Sequence, residues 1–329
     1  MSIKKIVILF NELSENAKQD ELDILDQVEL AENSLLELGY ETSRMTLGFD
    51  IPQFLKEIQI EKPDMVFNLV ESIQNHGELL YFATALLNYL KIPYTGVRNE
   101  GMFITTNKPL AKHWMRNSGI PTASWFELDE LDKLDSNKTY LVKPKLEDGS
   151  LGFDDDLVFK GSDQTFHPKI KTLSKNNYFI EEYIDGREFN ISVLGGNQGP
   201  EVLPIPEMMF IDFPSDKPKI MGYRAKWEEG SFEYENTARQ FIDEKNEQIL
   251  VEKLKNICID CWKTFSLSGY VRVDFRVDKE GNPFVLEVNA NPCITPGSGF
   301  YMACEQTGYT FTDATKRIIE DAKAYFNLK

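Results

Sequence analysis

The chain has 329 residues, of which 42% are hydrophobic and 27% are charged, as is typical of a folded globular protein. Its 53 acidic residues outnumber its 36 basic residues, so the net charge is −17. A surface this acidic repels nucleic acid and anionic membranes, and any bound phosphate needs a local cluster of donors. No stretch approaches the roughly 20 apolar residues that cross a bilayer. The length predicts two or three domains.

The first residues do not predict an export signal. The apolar run at residues 6–10 is short, and Asn11 and Glu12 follow at once, so a first strand is the better interpretation. We therefore expect a cytoplasmic protein whose four cysteines are reduced. Cys258 and Cys261 lie in a predicted amphipathic helix at 252–265. Because no second pair supplies zinc ligands, buried thiols are favoured over metal or redox chemistry.

Predicted strands and helices alternate over the first 96 residues. Strands are predicted at 6–10 and 64–70. Apolar residues recur at helical steps from Ile24 to Leu38, before Gly39, and again from Leu79 to Leu90, and a strand and turn follow at 91–96. This alternation predicts a parallel α/β domain. No Gly-x-Gly-x-x-Gly follows the first strand, which argues against a common dinucleotide-binding fold.

The remainder predicts an α+β arrangement that is mostly antiparallel. A helix is predicted at 107–118, and a short helix within 127–138. Strands are predicted at 140–144, 178–184 and 189–194. Residues 207–240 are aromatic and charged without clear periodicity, and we expect a long ordered loop near a site.

A hairpin near the C-terminus places acidic residues opposite one another. Strands at 270–278 and 283–289 flank a turn at 279–282, which sets Asp274 opposite Glu287 and Arg272 opposite Asn289. Two carboxylates paired across a hairpin repel each other, and Mg²⁺ would remove that repulsion. The alternative is a solvated polar face on which Arg272 and Arg276 neutralise the acids.

A glycine-bearing loop follows the strand that ends at Lys143. Gly149 and Gly152 allow backbone N–H groups to approach an anion. The loop lacks the common P-loop pattern, so an ordinary turn is the alternative.

Together these motifs resemble the ATP-grasp superfamily and, within it, the D-alanine–D-alanine ligase family. The resemblance covers residues 90–329 well. It is carried by Lys91-Ile92-Pro93-Tyr94-Thr95-Gly96, Asn107-Lys108, Lys143-Pro144, the Gly149 loop, Glu181-Glu182-Tyr183-Ile184, Glu188, Tyr223-Arg224-Ala225-Lys226, Arg272-x-Asp274 and Glu287-x-Asn289. It implies an ATP-grasp fold, α/β and α+β, with a Rossmann-like N-terminal domain at 1–96, a central lobe at 97–184 and a C-terminal lobe at 185–329.

The resemblance also implies the ligands and the residues that hold them. ATP would bind with Mg²⁺, two ions in the family pattern, with Mn²⁺ as an alternative metal. The residues assigned to phosphates are Lys108, Lys143, Gly149, Ser150 and Lys226. Those assigned to adenine and ribose are Glu181, Glu182, Ile184 and Glu188. The metal ligands are Asp274, Glu287 and Asn289.

The implied reaction is peptide-bond formation between two amino acids, through an acylphosphate that an amine attacks. Arg272 and the backbone N–H of Cys293 would stabilise the oxyanion, and Ser298 would hold the substrate carboxylate. Lys226 and Ser150 would assist phosphoryl transfer. The family also implies a homodimer and a place in peptidoglycan biosynthesis.

The sequence departs from the family where the first amino acid binds. The glycine-serine run and the glutamate expected after the first strand are replaced by residues 10–15, and the His-Gly motif after the third strand by residues 67–72. Trp227 replaces an aromatic hydroxyl. Glu71, Glu12 and His76 are candidate replacements, or else solvated loop residues. The resemblance therefore supports ligase chemistry more strongly than it supports D-alanine as the substrate.

Three other functions remain open. The protein could be a ligase of the same fold for other amino acids, a nucleotide-binding module without turnover, or a kinase-like enzyme that transfers phosphate to a hydroxyl. Retention of Arg272 and the metal ligands argues against the module. Arg272 and Ser298 argue against the kinase, which has no acyl oxyanion to stabilise.

Overall fold

The computed structural model describes residues 3–14, 19–146 and 155–328. Within these residues the strands form three sheets, and no helix is long and apolar enough to cross a membrane.

The first sheet is parallel, with β1 between β2 and β3. The elements of this region are β1 (Lys5–Asn11), α1 (Gln19–Glu37), β2 (Glu41–Leu47), α2 (Ile51–Glu61), β3 (Met65–Asn68) and α3 (Tyr81–Leu90). Helix α1 packs Ile24, Val28 and Leu35 against one face, and each is at most 1% exposed. Gly39 follows α1 with φ +85°, the left-handed conformation that glycine adopts without strain.

The predicted first strand, the first helix and the helix ending at Leu90 are confirmed. Strand β2 and helix α2 were not predicted. In β2 only Met45 and Leu47 are buried, so this edge strand lacks a continuous apolar run. At 91–96 only Tyr94 makes a bridge, to Val66.

Two helices connect the first sheet to the central sheet. They are α4 (Asn99–Thr106) and α5 (Lys108–Asn117). The Oδ1 of Asn107 accepts a hydrogen bond from the Leu110 backbone N–H at 3.1 Å and caps α5, which confirms the predicted helix. Met102 and Met115 pack in the core of the C-terminal sheet.

The central sheet is antiparallel, in the order β4-β7-β5-β6. Its elements are β4 (Trp125–Phe126), β5 (Thr139–Pro144), β6 (Val158–Lys160), α6 (His167–Thr172) and β7 (Tyr178–Glu182). The short helix predicted within 127–138 is a 3₁₀ turn at Leu131–Lys133.

The C-terminal sheet is antiparallel, in the order β11-β10-β8-β12-β13, with β9 paired to β8. The elements here are β8 (Gly186–Leu194), β9 (Glu201–Val202), β10 (Pro206–Phe210), α7 (Tyr223–Trp227), α8 (Phe232–Glu235), β11 (Thr237–Phe241), α9 (Gln248–Thr264), β12 (Tyr270–Asp278), β13 (Pro283–Asn289), α10 (Gly299–Thr307) and α11 (Phe311–Tyr325). Helix α9 buries the thiols of Cys258 and Cys261, as predicted.

The hairpin register is confirmed where it matters for the site. Asp274 lies opposite Glu287, and Arg272 lies opposite Asn289. The register shifts after Asp274, so that Phe275 faces Val285.

The prediction of one long irregular loop over 207–240 is wrong. Strands β10 and β11 form an antiparallel pair at the sheet edge, and α7 and α8 lie between them. The sequence of β11, Thr-Ala-Arg-Gln-Phe, contains no apolar run because this strand lies at the edge and is only half-buried.

The predicted domain boundaries at residues 96 and 184 remain predictions. Residues 125–182 contain the central sheet, and residues 186–289 contain the C-terminal sheet. Helices α4 and α5 nevertheless share a hydrophobic core with the C-terminal sheet.

Candidate active site

A cleft of about 1050 Å³ is lined by all three sheets, for example by Asn11 of β1, Lys143 of β5 and Arg272 of β12. The site residues predicted from sequence line this cleft wherever the structure describes them: Glu71, Lys108, Lys143, Glu181, Glu182, Ile184, Glu188, Lys226, Arg272, Asp274, Glu287, Asn289, Cys293 and Ser298. Gly149 and Ser150 lie outside the described residues. Glu12 and His76 are not among the described residues that line the cleft.

The hairpin of β12 and β13 presents its acidic side chains to the cleft. Arg272 donates two hydrogen bonds to Asp274, from Nε to Oδ1 at 2.7 Å and from Nη2 to Oδ2 at 2.9 Å. The Nζ of Lys108 lies 3.3 Å from Oε2 of Glu287. Burial opposes ionisation of Glu287, but Lys108, Lys226 and Lys143 outweigh it and hold the carboxyl pKa well below its ordinary value. The alternating strand pattern therefore collects Asp274, Glu287 and Asn289 on one face, beside these cations.

These side chains fit the chemistry of Mg²⁺. Asp274, Glu287 and Asn289 supply carboxylate and amide oxygens from adjacent strands, the hard ligands that Mg²⁺ prefers. No group of three or more His, Cys, Asp or Glu side chains among the described residues is placed to hold a metal. The predicted set has two carboxylates and one amide, so substrate phosphates and water would complete the coordination.

A buried trio of charges lies where α5 meets strands β5 and β7 of the central sheet. The Oε2 of Glu181 is 2.6 Å from Nζ of Lys143, and its Oε1 pairs with Lys112. Lys112 and Glu181 are at most 1% exposed, and Lys112 also donates to Oγ1 of Thr122 at 2.8 Å. Burial raises the pKa of Glu181, but the two lysines outweigh burial and keep it below its ordinary value. The trio carries a net charge of about +1 and presents Lys143 to the cleft.

Lys226 of α7 lies near two of the predicted metal ligands, Glu287 and Asp274. Burial and the nearby Arg272 lower the pKa of its ammonium group, whereas Glu287 and Asp274 oppose this shift. A lysine that is half-buried among acids and one arginine suits contact with a phosphate, because the anion balances both cations.

The predicted adenine and ribose residues lie together at the junction of β7 and β8. Arg276 donates from Nε to the Ile184 carbonyl at 2.9 Å and pairs with Glu188, with Nη1 3.2 Å from Oε2. Burial raises the pKa of Glu188, and Arg276 opposes that shift. The carboxylate of Glu181 binds two lysines rather than pointing to solvent, while Glu182 pairs with Lys138 at 2.7 Å.

A different group of side chains lies beside the first sheet, and three of its members, Asp23, Glu71 and Cys293, line the cleft. One amide, Nε2 of Gln27, donates to Glu71 at 2.9 Å and to Asp23 at 3.3 Å. The Sγ of Cys293 donates to Asp23 at 3.1 Å. Burial, Asp23 and Glu71 raise the pKa of this thiol, so it is neutral. We name Asp23, Gln27, Glu71 and Cys293 the acidic wall.

Sequence reasoning missed three residues: Asp23 and Arg239, which line the cleft, and Lys112, which pairs with the cleft residue Glu181. Lys112 lies four residues after Lys108 on α5, a spacing that places both on one helix face. Asp23 lies on a helix that was interpreted only through its apolar face. Arg239 lies in the segment that was wrongly predicted to be a loop.

Comparisons with known proteins agree with this geometry. A family model described as the D-Ala D-Ala ligase C-terminus matches residues 115–320. The D-alanine–D-alanine ligase of Aquifex aeolicus is 32% identical over 293 residues, covering 87% of this chain and 91% of that protein. An uncharacterised protein of Sinorhizobium fredii is 31% identical over 266 residues, covering 80% and 76%.

A solved structure supports the fold. The crystal structure of D-alanine–D-alanine ligase from Bacillus anthracis complexed with ATP superimposes with a TM-score of 0.73. The alignment covers 98% of this chain and 99% of that one, at 24% identity. The predicted ATP-grasp fold, with its Rossmann-like first domain, is confirmed.

Proposed function

The chain belongs to the D-alanine–D-alanine ligase family, and from that premise we propose that it joins two amino acids through a C–N bond with cleavage of ATP. The family uses ATP and Mg²⁺. One observation carries the proposal: Lys108, Lys143, Lys226 and Arg272 line the same cleft as the oxygen ligands of the hairpin. Cations and oxygen ligands together are what phosphoryl transfer requires.

The first chemical step is phosphoryl transfer from ATP to the carboxylate of the donor amino acid. We assign Lys108 and Lys143 to the phosphates that remain on the nucleotide and Lys226 to the transferred group. These ammonium groups neutralise charge that develops as the phosphoryl group moves. Glu188 accepts hydrogen bonds from ribose hydroxyls, because a carboxylate accepts two at once.

Asp274, Glu287 and Asn289 would hold Mg²⁺, two ions in the proposed site, with Mn²⁺ as an alternative. The metal, when bound, withdraws charge from the phosphate oxygens. Arg272 and Lys108 already neutralise these carboxylates in the structure. When a metal ion takes their place at the carboxylates, Lys108 can therefore turn to phosphate and Arg272 to the oxyanion.

In the second step the amine of the acceptor attacks the acylphosphate, and phosphate leaves. The resulting tetrahedral oxyanion needs donors, and we assign Arg272 and the backbone N–H of Cys293 to it. Ser298 would bind substrate carboxylate. Glu71, on the acidic wall, would pair with the ammonium group of the donor amino acid.

A panel assay tests the proposal. Phosphate release and dipeptide mass are measured with ATP and Mg²⁺ across single and paired D- and L-amino acids. We expect amino-acid-dependent phosphate release and one dipeptide per phosphate. ATP cleavage that no amino acid stimulates, in a folded protein that binds ATP, would contradict the proposal.

Two lysine variants make the assay specific. Lys226→Met should lower turnover by at least about a hundredfold, because a charge that contacts the transferred group is lost. Lys219→Met removes an exposed lysine from the same segment and should leave turnover within about twofold. The homodimer, the cytoplasmic location and the pathway remain predictions.

A further inference from the structure

Arg239 of β11 is a cleft residue to which the reaction assigns no role. It lies opposite Met208 of β10 and lines the cleft beside Gly297, Ser298 and Gly299. Its neighbours on the strand, Ala238 and Gln240, are exposed, whereas Arg239 is half-buried. The strand therefore turns this guanidinium inward.

Within the described residues, Arg239 forms no hydrogen bond or ion pair with a carboxylate. Nη1 donates to the carbonyl of Gly297 at 2.9 Å and lies 3.3 Å from Sδ of Met302. Nε is buried and has no hydrogen-bond partner among the described residues. Burial and the nearby Arg272 lower the pKa of Arg239, and Asp274, which already binds Arg272, opposes this shift only in part. A guanidinium in such surroundings is stabilised by an anion.

Another arginine of the same sheet shows the contrast. Arg187 of β8 lies between two carboxylates. Its Nη2 is 2.6 Å from Oε2 of Glu207, and its Nη1 is 2.5 Å from Oε2 of Glu247. These carboxylates raise its pKa above the ordinary value. Arg272, for its part, binds Asp274 through two hydrogen bonds. Arg239, by contrast, has no such carboxylate partner among the described residues.

The start of α10 lies directly against this guanidinium. A Cβ placed on Gly299 would lie 3.7 Å from Nη2 of Arg239, so the first residue of the helix packs against it. Ser298 caps the helix, and its Oγ accepts from the Tyr301 backbone N–H at 3.2 Å. The Ser298 hydroxyl proton remains available to donate. The first N–H groups of a helix also favour anions.

We infer that Arg239, with Ser298 and the first turn of α10, binds the carboxylate of the acceptor amino acid. The inference rests on the proposed function and adds a specificity-determining residue to it. One guanidinium, one hydroxyl and one helix start match a single carboxylate. The site would select an acceptor with a free carboxylate over one whose carboxylate is blocked.

Carboxamide acceptors provide the test. An amino acid amide has an amine to attack with but no carboxylate to be phosphorylated, so it acts only as acceptor. With the best donor from the panel at saturation, kcat/KM is measured for the best acceptor and for its amide. The wild type should prefer the free acid by about 10- to 100-fold, the usual effect of a charged hydrogen bond.

Arg239→Met should remove that preference. We expect kcat/KM for the free acid to fall by about 10- to 100-fold, with kcat/KM for the amide and KM for ATP within about twofold. Arg239→Lys should restore part of the preference, because it returns the charge without the fork of donors. Arg187→Met, the matched control, should retain it.

Three results would overturn the inference. In the first, wild-type enzyme turns over the acid and the amide equally, which leaves the ligase function intact and removes the carboxylate site. In the second, Arg239→Met lowers both rates equally or raises KM for ATP, which shows a structural role. In the third, no amino acid supports turnover at all, and the proposed function fails together with the inference that rests on it.

Discussion

The nucleotide part of the cleft and the acidic wall are built in different ways. Around the nucleotide region, charged side chains form close pairs such as Lys143 with Glu181, and Arg272 with Asp274. In the acidic wall, one amide of Gln27 links two carboxylates, and a neutral thiol completes the group. The first arrangement serves a chemistry that the whole family shares. Under the proposed function the second would face the amino acid, where this sequence departs from the family pattern.

This difference suggests that the acidic wall, and not the phosphate and metal ligands, selects the amino acid. A ligase can keep its phosphate and metal ligands while the wall changes, because the two groups come from different elements. The proposed phosphate and metal ligands lie on α5, β5, α7, β12 and β13, whereas the wall comes from α1 and from the loops after β3 and β13. Changes on the nucleotide side should therefore abolish all turnover, and changes in the wall should alter the preference among amino acids.

The largest effect is expected for Glu287→Gln. The amide keeps the shape but removes a charged metal ligand, so turnover should fall by at least about a thousandfold with every amino acid. Circular dichroism and thermal unfolding should show a folded protein. Glu280→Gln, the same change at the exposed turn of the hairpin, should leave turnover unaltered. Full activity of Glu287→Gln at saturating Mg²⁺ would remove the metal hypothesis.

The buried trio should be the most costly ion pairing to break. Lys112→Met leaves Glu181 buried with one partner fewer, and the free energy of unfolding should fall by about 3 kcal/mol. Urea unfolding monitored by fluorescence measures it. Lys133→Met breaks an exposed pair with Glu130, 2.5 Å apart, and should change stability by less than about 1 kcal/mol. Equal effects for the two variants would show that Lys112 is not part of a buried network.

A smaller and more selective effect is expected in the acidic wall. Glu71→Ala removes a carboxylate that we assign to the donor ammonium group, so KM for the donor should rise by about 10- to 100-fold. KM for ATP should stay within about twofold. Glu57→Ala, an exposed glutamate of the same domain, is the control. A rise in KM for ATP as large as the rise in KM for the donor would contradict the assignment of Glu71 to the donor ammonium group.

The two regions also differ in how much of each could be predicted from the sequence. Arg272 and Asp274 alternate on one strand, and Glu287 and Asn289 alternate on its hairpin partner. The two-residue period of a strand and the position of a single turn therefore suffice to predict that these side chains meet. The structure confirms that register. The hairpin ligands were predictable because they lie on short, regular elements, whereas Lys108, Lys143 and Lys226 were assigned by the family resemblance.

The acidic wall was only partly predictable for the opposite reason. Asp23, Glu71 and Cys293 come from a helix, a loop after β3 and a loop after β13, and they meet only through tertiary packing. No local period links positions so far apart. Arg239 was missed because an edge strand with little apolar character resembles a loop in sequence.

The measurement that tests the central claim most directly compares KM for ATP with KM for D-alanine in the wild type and in Glu71→Ala. The nucleotide side retains its ligands and the wall differs from the family, so we predict tight, Mg²⁺-dependent ATP binding with weak or absent synthesis from D-alanine alone. Another amino-acid pair should give faster synthesis that depends on Glu71. Robust D-alanyl-D-alanine synthesis that Glu71→Ala leaves unchanged would contradict the account.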